Sequence, residues 1–87
     1  MSPTEWKLTV LLPHDENHRL VAAGTGQSRD DAEHALTRSL IEAARRWGRQ
    51  EFTGVLGERR FLVLPGLTAS GLVDEEAIHR AIDDLDR

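Results

Sequence analysis

Five arginines in the second half of the sequence form the group of side chains with the clearest binding chemistry. Guanidinium groups bind phosphate oxygens, and an indole ring beside them can stack on a nucleic-acid base. Three of these arginines surround Trp47, and a second hairpin that folds back on the helix end would bring the other two close. The candidate basic patch consists of Arg45, Arg46, Arg49, Arg59 and Arg60.

The net charge opposes nucleic acid as the main partner. Fifteen acidic residues against eleven basic ones give a formal charge of -4, which phosphate backbones repel over distances comparable to the Debye length. Cations at the end of a helix are also favoured by the helix dipole, which explains three of the arginines without a ligand. We therefore expect nucleic-acid binding to be at most an accessory contact of the basic patch.

A glycine-rich step provides a second candidate, an anion-binding turn. Backbone N–H groups at a helix N-terminus, together with the positive end of the helix dipole, attract phosphate or carboxylate. The step lacks the Gly-Lys-Ser/Thr of a P-loop, and Asp30 and Asp31 already occupy the dipole. The pattern favours a tight turn before a capped helix, with anion binding as the alternative. The residues concerned are Gly24, Thr25, Gly26 and Ser28.

Residues 14–18 hold two histidines and two acids, His14, Asp15, Glu16 and His18, all side chains that can ligate a metal. The preceding Pro13 indicates a turn, which would hold the two rings loosely, so we interpret this segment as a solvated hairpin tip. The sequence contains no Gly-x-Ser-x-Gly or His-Glu-x-x-His motif and no tyrosine. We therefore expect no metal, no cofactor and no catalytic residue.

The composition describes one small domain over residues 1–87, with 39% hydrophobic and 30% charged residues. The absence of cysteine excludes disulfides and thiolate metal sites and fits a reducing cytoplasm. The first residues lack the pattern of a secretory signal, and the longest apolar runs are far shorter than the roughly 20 residues of a membrane helix. We expect a cytoplasmic protein without membrane contact.

Periodicity predicts the elements of the first half. Alternation over residues 5–12 indicates a strand, a polar turn follows Pro13, and residues 20–23 form the returning strand before a break at Gly24. Ser28 is typical of a helix N-cap, and small or apolar residues then recur with helical spacing. Gly48 is placed to end that helix.

The second half repeats the order of elements. Residues 52–56 and 60–64 predict a second hairpin, whose loop length and register stay open. Val73, Asp74 and Ile78 then have the spacing of a hydrophobic staple around an N-cap, which predicts a second helix with a stripe at Ile78, Ala81, Ile82 and Leu85. We predict an α+β fold, β-β-α-β-β-α, with one four-stranded antiparallel sheet and both helices on one face.

The far face of this sheet is expected to be partly apolar, because the strand runs at residues 11–12 and 61–64 lack a polar residue at every second position. A second copy related by a twofold axis is the simplest cover for such a face. Scattered surface leucines are the alternative. The predicted dimer face contains Leu11, Leu62 and Leu64.

The hairpin that leads into residues 28–36, followed by Ile41-Glu42-Ala43-Ala44, resembles the strand-strand-helix portion of HicB-type antitoxins over residues 6–46. Where those proteins carry a Pro-Asp-Leu-Pro-Gly-like segment, this chain has Val21-Ala22-Ala23-Gly24. The step from glycine to serine to helix is also similar to the end of double-stranded RNA-binding domains, although Asp30 and Asp31 stand where those domains carry lysines.

Three functions follow from these observations. We expect a small non-enzymatic protein-interaction module that forms a homodimer. The alternative, implied by the resemblance, is an antitoxin-type regulatory protein with an accessory nucleic-acid contact through the arginine cluster. A third hypothesis is an anion binder that uses the glycine turn.

Overall fold

The computed structural model of the chain describes residues 3–66 and 68–83. In that part of the chain the strands form one antiparallel sheet in the order β2-β1-β3-β4. The predicted α+β fold is therefore confirmed, and the strand order is added to it. The elements are β1 Thr4–Leu11, β2 Arg19–Gly26, α1 Arg29–Trp47, β3 Glu51–Leu56, β4 Arg59–Val63 and α2 Glu75–Asp83.

Alternation along the two central strands separates an inner from an outer face of the sheet. Leu8 and Val10 of β1 are fully buried, and Val10 pairs with the equally buried Phe52 of β3. Helix α1 lies over this inner face, where it contacts β2, β1 and β3, and α2 packs against α1. Both helices contribute to one core: Leu8, Val10, Ala32, Leu36, Leu40, Ala43, Ala44, Phe52, Leu56, Val63, Ile78 and Ile82.

The ends of α1 follow the predicted capping chemistry. The Ser28 hydroxyl accepts a hydrogen bond from the backbone N–H of Asp31 at 3.2 Å, which satisfies one of the free donors of the first turn. Gly48 ends the helix with φ 75°, and its N–H donates to the carbonyl of Ala44 at 2.8 Å. Only a residue without Cβ adopts this backbone region without strain. Both predicted helix ends are confirmed.

Strand β2 extends beyond the end that the sequence predicts for it. It continues through Gly24 to Gly26, which pairs with Thr4 of β1. A Cβ added to Gly26 would lie 2.4 Å from the backbone nitrogen of Ala32, so glycine here permits close contact between β2 and α1. The predicted break was wrong because glycine marks a close approach inside a strand as well as a turn.

The second hairpin has a two-residue turn, since Leu56 pairs with Arg59. Gly57 occupies the first turn position with φ 62°, where a type II′ turn requires glycine. The register that the sequence left open is thereby set. Phe61 then pairs with Gly54 and lies across it on the inner face.

Helix α2 begins at the predicted cap. The Asp74 carboxylate accepts a hydrogen bond from the N–H of Ala77 at 3.0 Å, and Val73 packs against the core. Arg80 and Glu76 form an i, i+4 ion pair at 3.4 Å. The stripe is confirmed at Ile78 and Ile82, whereas Ala81 is exposed and Leu85 lies outside the described residues. Within residues 3–66 and 68–83 neither helix is long and apolar enough to span a lipid bilayer.

Candidate interaction surfaces

The outer face of the sheet, turned away from both helices, carries exposed leucines on its two outermost strands. Leu20 of β2 pairs with Thr9 of β1, Thr9 pairs with Thr53 of β3, and Thr53 pairs with Leu62 of β4. Leu20 is 60% exposed and Leu62 is 57% exposed. Because directly paired residues point to the same face, these four side chains form one row across the sheet, called here the outer row.

Leu62 of the predicted dimer face belongs to this row, and the other two predicted residues lie beside the row at the Glu51 end of β3. Leu11 is half-buried and pairs with Glu51, two residues along β1 from Thr9 of the outer row. Leu64 directly follows β4, and its side chain is 58% exposed. Leu20 was missed, because the register of β1 and β2 shifts between Leu8 and Thr9 and this shift brings Leu20 to the outer face. The sequence contains no pattern that predicts this register shift.

Polar residues border the other side of the outer row. Lys7 pairs with Ala23 and Val55, and Val55 pairs with Arg60. Together with Glu5 they line a shallow depression of about 540 Å³. The outer face therefore carries leucines together with Glu51 at one end of the strands, and Glu5, Lys7 and Arg60 at the other.

The structure does not bring the five arginines of the predicted basic patch together. After α1 the chain enters β3 at Glu51, which is the end of β3 nearest to the end of the helix. Arg59 pairs with Leu56, at the opposite end of β3. Five residue steps of β3 correspond to about 17 Å. Arg59 and Arg60 thus belong to the other end of the sheet, because β3 runs away from α1 before the hairpin turns.

The three arginines near the end of α1 have different surroundings. The Arg45 guanidinium donates to the carboxylate of Glu75 and so links α1 to α2. The Arg46 guanidinium lies over the Trp47 ring, 4.9 Å from its centroid. Arg49 lies beyond the helix and is exposed. The five arginines therefore do not form the single patch that the sequence predicted.

The predicted anion-binding turn is not formed. Gly24, Thr25 and Gly26 lie inside β2, with their backbones in an antiparallel ladder with β1. The Ser28 hydroxyl is engaged as the cap of α1. The glycines are explained by packing, since a Cβ at Gly24 would lie 2.9 Å from Nε1 of Trp6.

The loop at residues 14–18 is exposed at both histidines, whereas Asp15 is half-buried. His14 and His18 are exposed, and a carboxylate oxygen of Asp15 lies 3.5 Å from the guanidinium of Arg19. Another pair, His34 and His79, lines a crevice of about 390 Å³ between α1 and α2, beside several acidic residues. Nowhere in residues 3–66 and 68–83 do three His, Asp or Glu side chains converge as metal ligands would.

A groove of about 420 Å³ lies between β2 and α1. Small residues form most of its floor, and the side formed by α1 carries Glu42, Arg46 and Trp47. The helix meets β2 closely at Gly26 and Ala32, so the groove is closed at that end and opens toward the end of α1. The lining residues are Val21, Ala22, Ser39, Glu42, Ala43, Arg46 and Trp47.

Comparisons of the chain with protein-family models, with curated proteins and with solved structures find no significant match.

Proposed function

We propose that this chain is a small non-catalytic protein-interaction module that forms a twofold dimer through the outer face of its sheet. The observation that carries the proposal is the outer row, which reads Leu20, Thr9, Thr53, Leu62 from one edge to the other. The row is the same in both directions, with a leucine at each end and two threonines between them.

Such a row is self-complementary. A twofold axis along the strands, between β1 and β3, places Leu20 on the partner's Leu62 and each threonine on the opposite threonine. Isologous interfaces need a surface patch that matches its own rotated copy, and this row meets that requirement. The threonine methyl groups and the leucines together supply apolar contact in the centre of the face, while Lys7 and Arg60 stay at its border.

The size of the face predicts a weak dimer. Four strands at about 4.8 Å and about six residues at 3.4 Å give a face of roughly 20 by 20 Å. This projected area, about 400 Å², is half of the roughly 800 Å² per partner in a standard interface. We therefore expect association in the micromolar range rather than an obligate dimer.

The antitoxin-type alternative loses its main support in this geometry. Its nucleic-acid contact depended on five arginines in one patch, and Arg59 and Arg60 lie at the far end of β3 from the other three. A cytoplasmic location is part of the proposal and is supported by the absence of cysteine from all 87 residues.

The test changes one leucine of the outer row and one matched leucine elsewhere. Leu62→Glu places a carboxylate in the proposed interface twice, once from each copy. Leu72→Glu is the control, because Leu72 is 68% exposed in the segment before α2, away from the outer row. Masses are measured by sedimentation velocity and light scattering from about 1 µM to about 1 mM protein.

Wild-type protein and the Leu72→Glu variant should show a mass that rises with concentration from 9.7 kDa toward twice that value. Leu62→Glu should remain at 9.7 kDa throughout. Wild-type protein that stays monomeric over the whole range, or a Leu62→Glu variant that still dimerises, would contradict the proposed interface.

A further inference from the structure

We propose that the groove between β2 and α1 binds an extended peptide segment, which adds to the free edge of β2 as a fifth antiparallel strand. The inference rests on the proposed role as a protein-interaction module and names the class of partner. The expected segment carries a basic residue, an acidic residue two positions later and an apolar residue two positions after that.

The edge of β2 is open for strand addition. Strand order leaves β2 with a neighbour on one side only, since β1 is its partner and the other side has none among the described residues. Edge strands are usually protected by charges or proline, yet the stretch from Leu20 to Gly26 contains neither. The other edge strand, β4, starts with two arginines and is followed closely by Pro65. Apart from Arg19 at its start, β2 is therefore the less protected of the two edge strands among the described residues.

The groove beside this edge has room for side chains of an added strand. Ala22 of β2 has a small side chain, and Ser39 and Ala43 of α1 are small as well, which leaves space between the strand and the helix. The register shift of β2 falls at Val21, whose side chain packs against the core from the groove. Irregularities of this kind often re-aim a side chain next to a binding site.

Two opposite charges on α1 give the groove its selectivity. Glu42 and Arg46 both line it and are exposed, and neither forms an ion pair within residues 3–66 and 68–83. One helical turn separates them by about 6 Å along the axis. Residues two apart on one face of a strand are about 6.8 Å apart, so consecutive inward side chains of an added strand can face both charges.

The direction of the chain sets the order of the peptide's charges. Helix α1 starts at the Gly26 end of β2 and ends near Val21, so it runs antiparallel to β2. A strand added antiparallel to β2 therefore runs parallel to α1 and passes Glu42 before Arg46. Its basic residue comes first, its acidic residue second, and the following apolar residue reaches Trp47. Main-chain hydrogen bonds provide the affinity in this binding mode, and the side chains provide the selectivity.

The probe is the fluorescein-labelled peptide Thr-Arg-Thr-Asp-Thr-Val-Thr, and its control is Thr-Asp-Thr-Arg-Thr-Val-Thr, which has the same composition and net charge. Fluorescence anisotropy measures the affinity of each for the wild-type chain and for a variant with Glu42→Arg and Arg46→Glu. Amide hydrogen exchange of β2, read by NMR, reports strand addition directly, and the amide spectrum verifies that the variant is folded.

Wild-type protein should bind the first peptide about tenfold more tightly than the control, and the double variant should reverse this order. Amides between Ala22 and Gly26 should exchange more slowly when the peptide is bound. Equal affinity for both peptides, no binding by either at about 1 mM, or binding without protection of β2 would overturn the proposal. Protection of β2 that rises with protein concentration in the absence of peptide would instead identify a second copy as the occupant. The mass of the Leu62→Glu variant tests the outer-face dimer separately, so the two proposals can fail independently.

Discussion

Substitution of Gly26 by alanine tests how closely β2 and α1 approach each other. The new Cβ would lie 2.4 Å from the backbone nitrogen of Ala32 and 2.8 Å from its Cα, whereas ordinary contacts are 3.4–4 Å. Relief of this overlap requires a displacement of about 1 Å between β2 and the first turn of α1. Neither atom belongs to a flexible side chain, so the displacement must come from the backbone.

The expected loss of stability follows from two contributions. Overpacking in a close-packed interior costs about 1–3 kcal/mol. The N–H of Ala32 also donates to the carbonyl of Ser28 at 3.1 Å, and loss of that bond adds about 1 kcal/mol. The free energy of unfolding should fall by about 2–4 kcal/mol, a large part of the roughly 4–13 kcal/mol expected for a domain of this length.

Urea denaturation at low micromolar concentration measures this loss through tryptophan fluorescence and circular dichroism. With a slope near 1 kcal/mol/M, the midpoint of Gly26→Ala should lie about 2 M or more below that of the wild type. Gly66→Ala is the control, because a Cβ there meets nothing within 4 Å, and its stability should change by less than about 1 kcal/mol. A Gly26→Ala midpoint within about 0.5 M of the wild type would refute the close-approach explanation.

Substitutions at two further positions test the N-cap of α1 and the turn between β3 and β4. Ser28→Ala removes the acceptor for the N–H of Asp31 and should lower the free energy of unfolding by about 1 kcal/mol in the same urea experiment, while Ser28→Asp should retain most of it. Gly57→Ala places a Cβ at φ 62° and should cost about 1–2 kcal/mol, with Gly57→Asn less harmful because asparagine tolerates this region. Equal urea midpoints for the alanine and asparagine variants of Gly57 would contradict this explanation, because the loss of stability would then not depend on how well the residue tolerates positive φ.

The helix ends and the element order could be predicted because their signals are local. Ser28, Gly48 and Asp74 act on backbone groups within a few residues of themselves, so their effect does not depend on the rest of the fold. Helical periodicity is a local signal in the same way, and apolar residues of α1 that recur with this spacing, Leu36 and Leu40 among them, are buried.

Glycine was the residue type for which the sequence-based prediction was wrong, because a strand break was predicted at Gly24. Gly57 and Gly48 do occupy positive φ, whereas Gly24 and Gly26 lie in a strand, where Trp6 and Ala32 leave no room for a Cβ. A glycine next to a helix start looks the same in both situations. Only the position of Trp6 and Ala32 in space separates them.

The sequence by itself determined which segments become strands and helices, because caps, turns and hydrophobic periods operate over a few residues. The tertiary structure alone decided the strand order, the register shift that brings Leu20 into line with Leu62, and the separation of Arg59 and Arg60 from the arginines of α1. The groove between β2 and α1 belongs to the same group. These features depend on which distant residues pair, and that pairing is set by burying one shared core rather than by any local preference.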